Sequence, residues 1–102
     1  MKKIDIEFEF RGRQYDAAVR IWEMNKGREF QVTIMDWELE RVLYGNQNMK
    51  EVDGVIQADV NPKDKDQAEL KLSIAAALGK HLKTPCFAGD ICLNEFPPAQ
   101  HQ

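Results

Sequence analysis

Along the first ten residues apolar and charged side chains alternate: Ile4, Ile6, Phe8 and Phe10 against Asp5, Glu7 and Glu9. A period of two puts the apolar set on one face of a strand and the acids on the other. After Arg11-Gly12-Arg13 the same period resumes as Tyr15, Ala17, Val19 and Ile21. With Gly12-Arg13 as a two-residue loop, Phe10 is expected opposite Tyr15, Phe8 opposite Ala17, Ile6 opposite Val19 and Ile4 opposite Ile21. Asp5 then falls across from Arg20 on the outer face. A slip of one residue would turn the whole apolar set to water, so the facing of this hairpin is strongly specified.

A second turn at Met24-Asn25-Lys26-Gly27 leads to Phe30, Val32 and Ile34 on the same inner face. Either a two-residue or a four-residue loop there keeps the faces aligned, and the four-residue version, which sets Glu23 against Arg28 and Ile21 against Phe30, is favoured. Past Met35-Asp36-Trp37 the pattern fits a strand from about Glu38 to Tyr44. It fits equally a short helix over 37–44 with Leu39, Val42 and Leu43 inward. Gly45-Asn46-Gln47-Asn48 reads as a loop. Residues 49–57, with Val52, Val55 and Ile56, read as a fifth, weaker strand interrupted at Asp53-Gly54.

The helix that follows is marked at both ends. Asn61 suits the N-cap and Pro62 the first helical position, where its missing N–H costs nothing. Asp64 and Asp66 complement the positive end of the dipole, and Lys80 and Lys83 the negative end. Thr84-Pro85 stops the helix, because a residue before proline avoids helical angles. Leu70, Ile74, Ala77, Leu78 and Leu82 form its apolar stripe. Gly79 costs about 1 kcal/mol there relative to Ala, which suggests close approach to the sheet. Cys86-Phe87, Ile91-Cys92-Leu93 and Phe96 are hydrophobic enough to pack back before Pro97-Pro98.

These elements predict one α+β domain over residues 1–102. It comprises an antiparallel meander of four or five strands (1–57), one C-terminal amphipathic helix (62–83) covering one face, a packed segment (85–96) and a tail (97–102). The order of elements, hairpins and then an acid-capped helix, is similar to that of many small bacterial domains. That similarity covers layout and carries no functional residues across.

Composition changes the picture mainly by exclusion. The 102 residues are 43% hydrophobic and 30% charged, with a net charge of −3. Residues 1–50 hold nine basic and nine acidic side chains, and residues 51–102 hold five and eight. No concentrated basic patch speaks for nucleic acid. Met1-Lys2-Lys3 is followed by alternation rather than by the apolar run of a signal peptide, and no stretch could span a bilayer. No Asn has the Ser or Thr that glycosylation needs, and two cysteines are too few for a disulfide scaffold. A cytoplasmic protein is expected, with neither nucleic acid nor membrane as partner.

Reactive side chains are scarce. Ser73 is the one serine, and His81 lies about 80° away from it around the helix, so a serine triad has no geometry. Cys86 or Cys92 with His81 would make a thiol nucleophile, but nothing basic lies close in sequence to lower either thiol pKa. The intervals within His81, Cys86, Cys92 and His101 match no zinc motif. Asp59, Asn61, Asp64 and Asp66 fail the calcium-loop pattern and are explained by capping. No catalytic residue, metal or cofactor is expected.

One grouping does stand out on the polar side of the sheet. Parity places Trp22 with Arg20, facing a strand that carries Gln31, Thr33 and Met35, with Trp37 nearby. Arg20, Trp22, Met35 and Trp37 have the composition of an interaction surface. The competing expectation is that Phe87, Ile91 or Phe96 folds over Trp22. The first-ranked function is therefore a small non-catalytic interaction or regulatory domain that uses its open sheet face or an edge strand. Its partner would be another protein or a second copy in a homodimer. The alternative is a small-molecule binder with a pocket between helix and sheet and His81 pointing inward.

Overall fold

The computed structural model describes residues 1–94 of the chain; Phe96, Pro97-Pro98 and His101 lie outside the described residues. The first hairpin pairs β1 (Lys2–Phe10) with β2 (Arg13–Met24), and its inner face is the expected one, with Ile6, Phe8, Ala17, Val19 and Ile21 buried. Its register is displaced by two residues from the expected one. Phe10 pairs with Arg13, Phe8 with Tyr15, Ile6 with Ala17 and Ile4 with Val19, so Asp5 faces Ala18 and Arg20 faces Lys3. The cause is the turn. Arg11 and Gly12 have φ of 52° and 80°, and a two-residue turn with positive φ at both positions takes its glycine second. A shift of two keeps every side chain on its face.

β3 (Gly27–Ile34) pairs with β2 in the expected register, Glu23 with Arg28 and Ile21 with Phe30, but Met24 also pairs with Gly27, so the loop is the two residues Asn25-Lys26 rather than four. Two departures follow. Residues 37–44 take the helical option as α1 (Trp37–Leu43), its first turn capped by the Asp36 carboxylate, which accepts the Leu39 N–H at 3.2 Å. Asp53-Gly54 is no interruption but a second tight turn, with φ of 55° and 80°. It splits residues 48–57 into the hairpin β4 (Asn48–Val52) and β5 (Val55–Gln57).

α2 (Lys65–Leu82) then carries the chain back, and β6 (Cys86–Ala88) and β7 (Ile91–Cys92) join the same sheet. Seven strands are hydrogen-bonded in chain order, antiparallel except for β5 with β6. Among the described residues the fold is thus a curled half-barrel of seven mostly antiparallel strands with two helices, not a four- or five-stranded meander with one C-terminal helix. The expectation failed at strands of three and two residues, too short to show a period.

α2 lies in the hollow of the sheet. Leu70, Ile74 and Leu78 are wholly buried in one core cluster with Val19, Ile21, Phe30 and Val32, each such side chain stabilising by roughly 1.5–3 kcal/mol. The helix starts three residues later than Pro62 suggests. Asn61 instead closes a turn, its side chain accepting the Lys63 N–H, and Asp64 caps by accepting the Gln67 N–H at 3.0 Å. At the far end Lys83 turns left-handed (φ 53°), and the Thr84 N–H reaches back to the Gly79 carbonyl at 2.9 Å. Here Gly79 earns its place: a Cβ would stand 2.9 Å from the Thr84 carbonyl oxygen and 3.0 Å from the Cys86 Cβ. The close approach is to the entry of β6. Among the described residues no helix is long and apolar enough to cross a membrane.

Candidate interaction surface

α1 is a seven-residue helix, too short to persist without support. Leu43 is buried and Leu39 and Val42 are half-buried beneath it. At 100° per residue the opposite side is formed by Trp37, Arg41 and Tyr44, which lie within about 60° of one another. Trp37 is 67% exposed and Tyr44 78%, with the Arg41 guanidinium 5.1 Å from the Trp37 ring centroid. Met35, 61% exposed, precedes the helix. An indole left mostly in water is uncommon, because Trp is highly buried on average.

Polar bonds to β3 and from α2 hold this short helix in place. The Glu40 carboxylate accepts the Ile34 N–H at 3.0 Å, and the Gln67 amide donates to the Val42 carbonyl at 3.1 Å. Behind them Lys71 is almost completely buried, at 1% exposure. Its Nζ donates to Asn46 Oδ1 and the Asp59 carbonyl at 2.6 Å each, and to the Asn48 carbonyl at 2.9 Å. Asn46 completes the set by donating to Gln67 Oε1 at 3.1 Å. Every proton of the ammonium has an acceptor, so a buried charge is tolerated. Burial still lowers the Lys71 pKa, and the Asp59 carboxylate opposes that shift. The network fixes residues 44–48, the rim of a cleft of about 490 Å³ between Tyr44, Asp59, Asn61 and Pro62.

The residues singled out from sequence fall into two groups. Met35 and Trp37 belong to the α1 surface just described. Arg20 and Trp22 lie elsewhere on the outer sheet face, where Arg20 donates to Gln31 Oε1 at 3.4 Å and Trp22 stands across from Glu29. The Met35 N–H bonds to the Asp16 carbonyl, four residues along β2 from Arg20 and six from Trp22. At about 3.3 Å per residue that separates the pairs by roughly 13–20 Å. Arg41 and Tyr44 complete the α1 surface. The spacing i, i+4, i+7 from Trp37 would have exposed both once the helix was preferred over the strand. Phe87 and Ile91 sit in β6 and β7, at the other end of the strand order from Trp22, which remains 37% exposed.

The catalytic candidates look different in place. His81 is exposed on α2, and Ser73 donates to the Glu69 carbonyl of its own helix. Cys86 is wholly buried, and burial, with a smaller contribution from Cys92, pushes its thiol up to about 12. Cys92 is exposed and donates to the Asn94 carbonyl at 3.0 Å. Among the described residues no group of three or more His, Cys, Asp or Glu is placed to hold a metal ion. No family model matches the chain, and no curated protein or solved structure matches it at a significant level.

Proposed function

We propose that the protein is a small non-catalytic interaction domain that binds another protein through the α1 surface of Met35, Trp37, Arg41 and Tyr44. The observation behind this reading is the aromatic stripe itself, exposed and yet held by a buried polar network. Trp, Tyr and Arg dominate binding hot spots because they offer large contact area with few rotors to freeze. Rigid presentation lowers the ordering cost of association. Arg20 and Trp22 are a separate outer-face contact for the same partner or for self-association.

The Trp37→Ala/Tyr44→Ala variant tests this reading. Both side chains are mostly in water, so the melting temperature should stay within about 2–3 °C of wild type. Quantitative affinity capture from the native host should lose a partner that Trp22→Ala retains. Capture unchanged by the double substitution, or unfolding of the variant, would remove the proposal. A small-molecule ligand is the second reading. Leu70, Ile74 and Leu78 fill the space between helix and sheet, so such a ligand would use the cleft beside Asn46 and Asp59 rather than a pocket around His81.

A further inference from the structure

The two edges of the sheet are unequal: β7 has two residues, whereas β1 has nine and pairs with β2 without a bulge. With Arg11-Gly12 as the turn, Phe10 and Arg13 close the hairpin as a hydrogen-bonded pair. By alternation Phe8, Ile6 and Ile4 also direct their main-chain groups at β2. Lys3, Asp5, Glu7 and Glu9 therefore direct theirs away from the sheet, and among the described residues none of these groups has a hydrogen-bond partner. Natural edges are blunted by proline, bulges, short length or charged side chains. This one has only the last, Lys3, Asp5, Glu7 and Glu9, so charge decides which strand can join it. Next to it, between β1 and α2, runs a groove of about 640 Å³ to which α2 contributes Ser73, Ala76, Ala77 and one charged residue, Lys80, with Leu93 also lining it. Its small residues leave room for the inward side chains of one more strand.

The side chains along this edge select its occupant. Asp5, Glu7 and Glu9 share the outer face, Glu7 stands directly across from Asp16, and none of the four is in an ion pair among the described residues. Like charges directly opposite one another destabilise a sheet, so a strand bringing positive charge to this face relieves repulsion already present. A second copy does so only in part. With Ile6 on the two-fold axis Asp5 meets Glu7 while Lys3 meets Glu9; with Asp5 on the axis it meets itself while Lys3 meets Glu7; with Glu7 on the axis it meets itself and Asp5 meets Glu9. Self-pairing thus matches the acids only where Lys3 reaches them, and a segment basic along its length matches all three.

We propose that the free edge of β1 takes an extended segment of a partner protein in which basic residues alternate with small apolar ones. The basic side chains face Asp5, Glu7 and Glu9, and the apolar ones enter the groove over Ala76 and Ala77. This site is separate from the α1 surface, so the Trp37→Ala/Tyr44→Ala variant should bind such a segment normally.

The test is titration of the 102-residue chain with the peptide Lys-Val-Lys-Val-Lys-Val-Lys-Val, followed by amide NMR and hydrogen exchange. A peptide with proline at the second lysine and the third valine, which removes a ladder donor in either strand direction, and a Glu-for-Lys peptide are the controls. The expected result is saturable binding with new protection at the amides of Asp5, Glu7 and Glu9. Both controls, and the Glu7→Lys/Glu9→Lys variant, should weaken it at least tenfold. Ala77→Gln, which narrows the groove and leaves the edge intact, should weaken it as well and serves if the charge variant unfolds. Equal binding of the proline peptide would reduce the effect to charge attraction and overturn the proposal. So would protection of the same amides without peptide in a concentration-dependent dimer, or binding seen only after removal of residues 95–102.

Discussion

Replacing Lys71 by Met tests the polar network at its centre. The substitution keeps the length of the side chain and removes the ammonium. It leaves the Asn46 side-chain oxygen and the Asn48 carbonyl without this donor, and the Asp59 carbonyl with Asn46 Nδ2 alone, at 3.2 Å. An unsatisfied buried acceptor costs about 1–3 kcal/mol. Asn48 and Asp59 are otherwise exposed, so water can recover part of that loss, which leaves about 3–4 kcal/mol from the three together. Against it stands the desolvation cost of the ammonium, which methionine does not carry and which already lowers the Lys71 pKa. Taking that relief as 1–2 kcal/mol, the net destabilisation is about 2 kcal/mol. For a domain of this size that is a fall of roughly 8–16 °C in Tm, or a urea midpoint lower by about 1 M. The assay is urea unfolding followed by tryptophan fluorescence and circular dichroism. Asn46→Ala should then cost at least about 1 kcal/mol less in the Lys71→Met background than alone, because it removes one stranded acceptor. A variant as stable as wild type, with additive Asn46 effects, would mean that desolvation outweighs the three bonds and that the network does not hold α1.

Other substitutions probe other parts of the fold. Gly27 sits at φ 147°, and a Cβ there would overlap the Glu51 carbonyl oxygen, so Gly27→Ala should destabilise by at least about 3 kcal/mol in chemical denaturation. Gly79→Ala gains helix propensity but meets the Thr84 carbonyl and Cys86, and a net loss of about 1–2 kcal/mol is expected by the same assay. The Cys86 thiol titrates near 12 when folded and from 9.0 when free. Between those values the folded state holds a proton that the unfolded state has lost, so stability falls as pH rises, by up to about 1.4 kcal/mol per pH unit. Cys86→Ala should flatten that decline relative to wild type, whereas parallel alkaline curves would count against it.

Faces were easier to read from the chain than registers, and registers easier than strand number. Alternation from Ile4 to Ile21 separated the two faces because one of them is largely solvated, with Ala18, buried on the outer face, as an exception. The two-residue displacement went unseen because it leaves every face unchanged; only positive φ at Arg11 distinguishes the two turns. Asp53-Gly54 carried a clear turn signal, but the flanking segments were too short to show alternation. The α1 surface was half legible. Met35 and Trp37 stood out by composition, while Arg41 and Tyr44 required the choice of helix over strand. Lys71 was the hardest to see. It lies only about 20° from Leu78 around α2, yet a lysine ordinarily marks the solvent side, and its acceptors come from residues 46, 48 and 59.

Among the described residues one pair is parallel, β5 with β6, and it bears on how the molecule opens. The other strands are antiparallel neighbours joined by tight turns or, between β3 and β4, through α1, so β1 to β5 can form in chain order. Joining Gln57 to Cys86 instead requires the intervening chain, Ala58 to Pro85, to close on itself, an entropic cost on the order of 3 kcal/mol. That closure is held by a short ladder and by Arg28, whose guanidinium pairs with Glu51 at 2.6 Å and donates to Thr84 at 3.4 Å. In native-state hydrogen exchange the β6–β7 amides should therefore open below the global unfolding free energy, while those of β2 and β3 exchange only with it. The half-barrel has a hinge side and a latch side, and β6 is the latch.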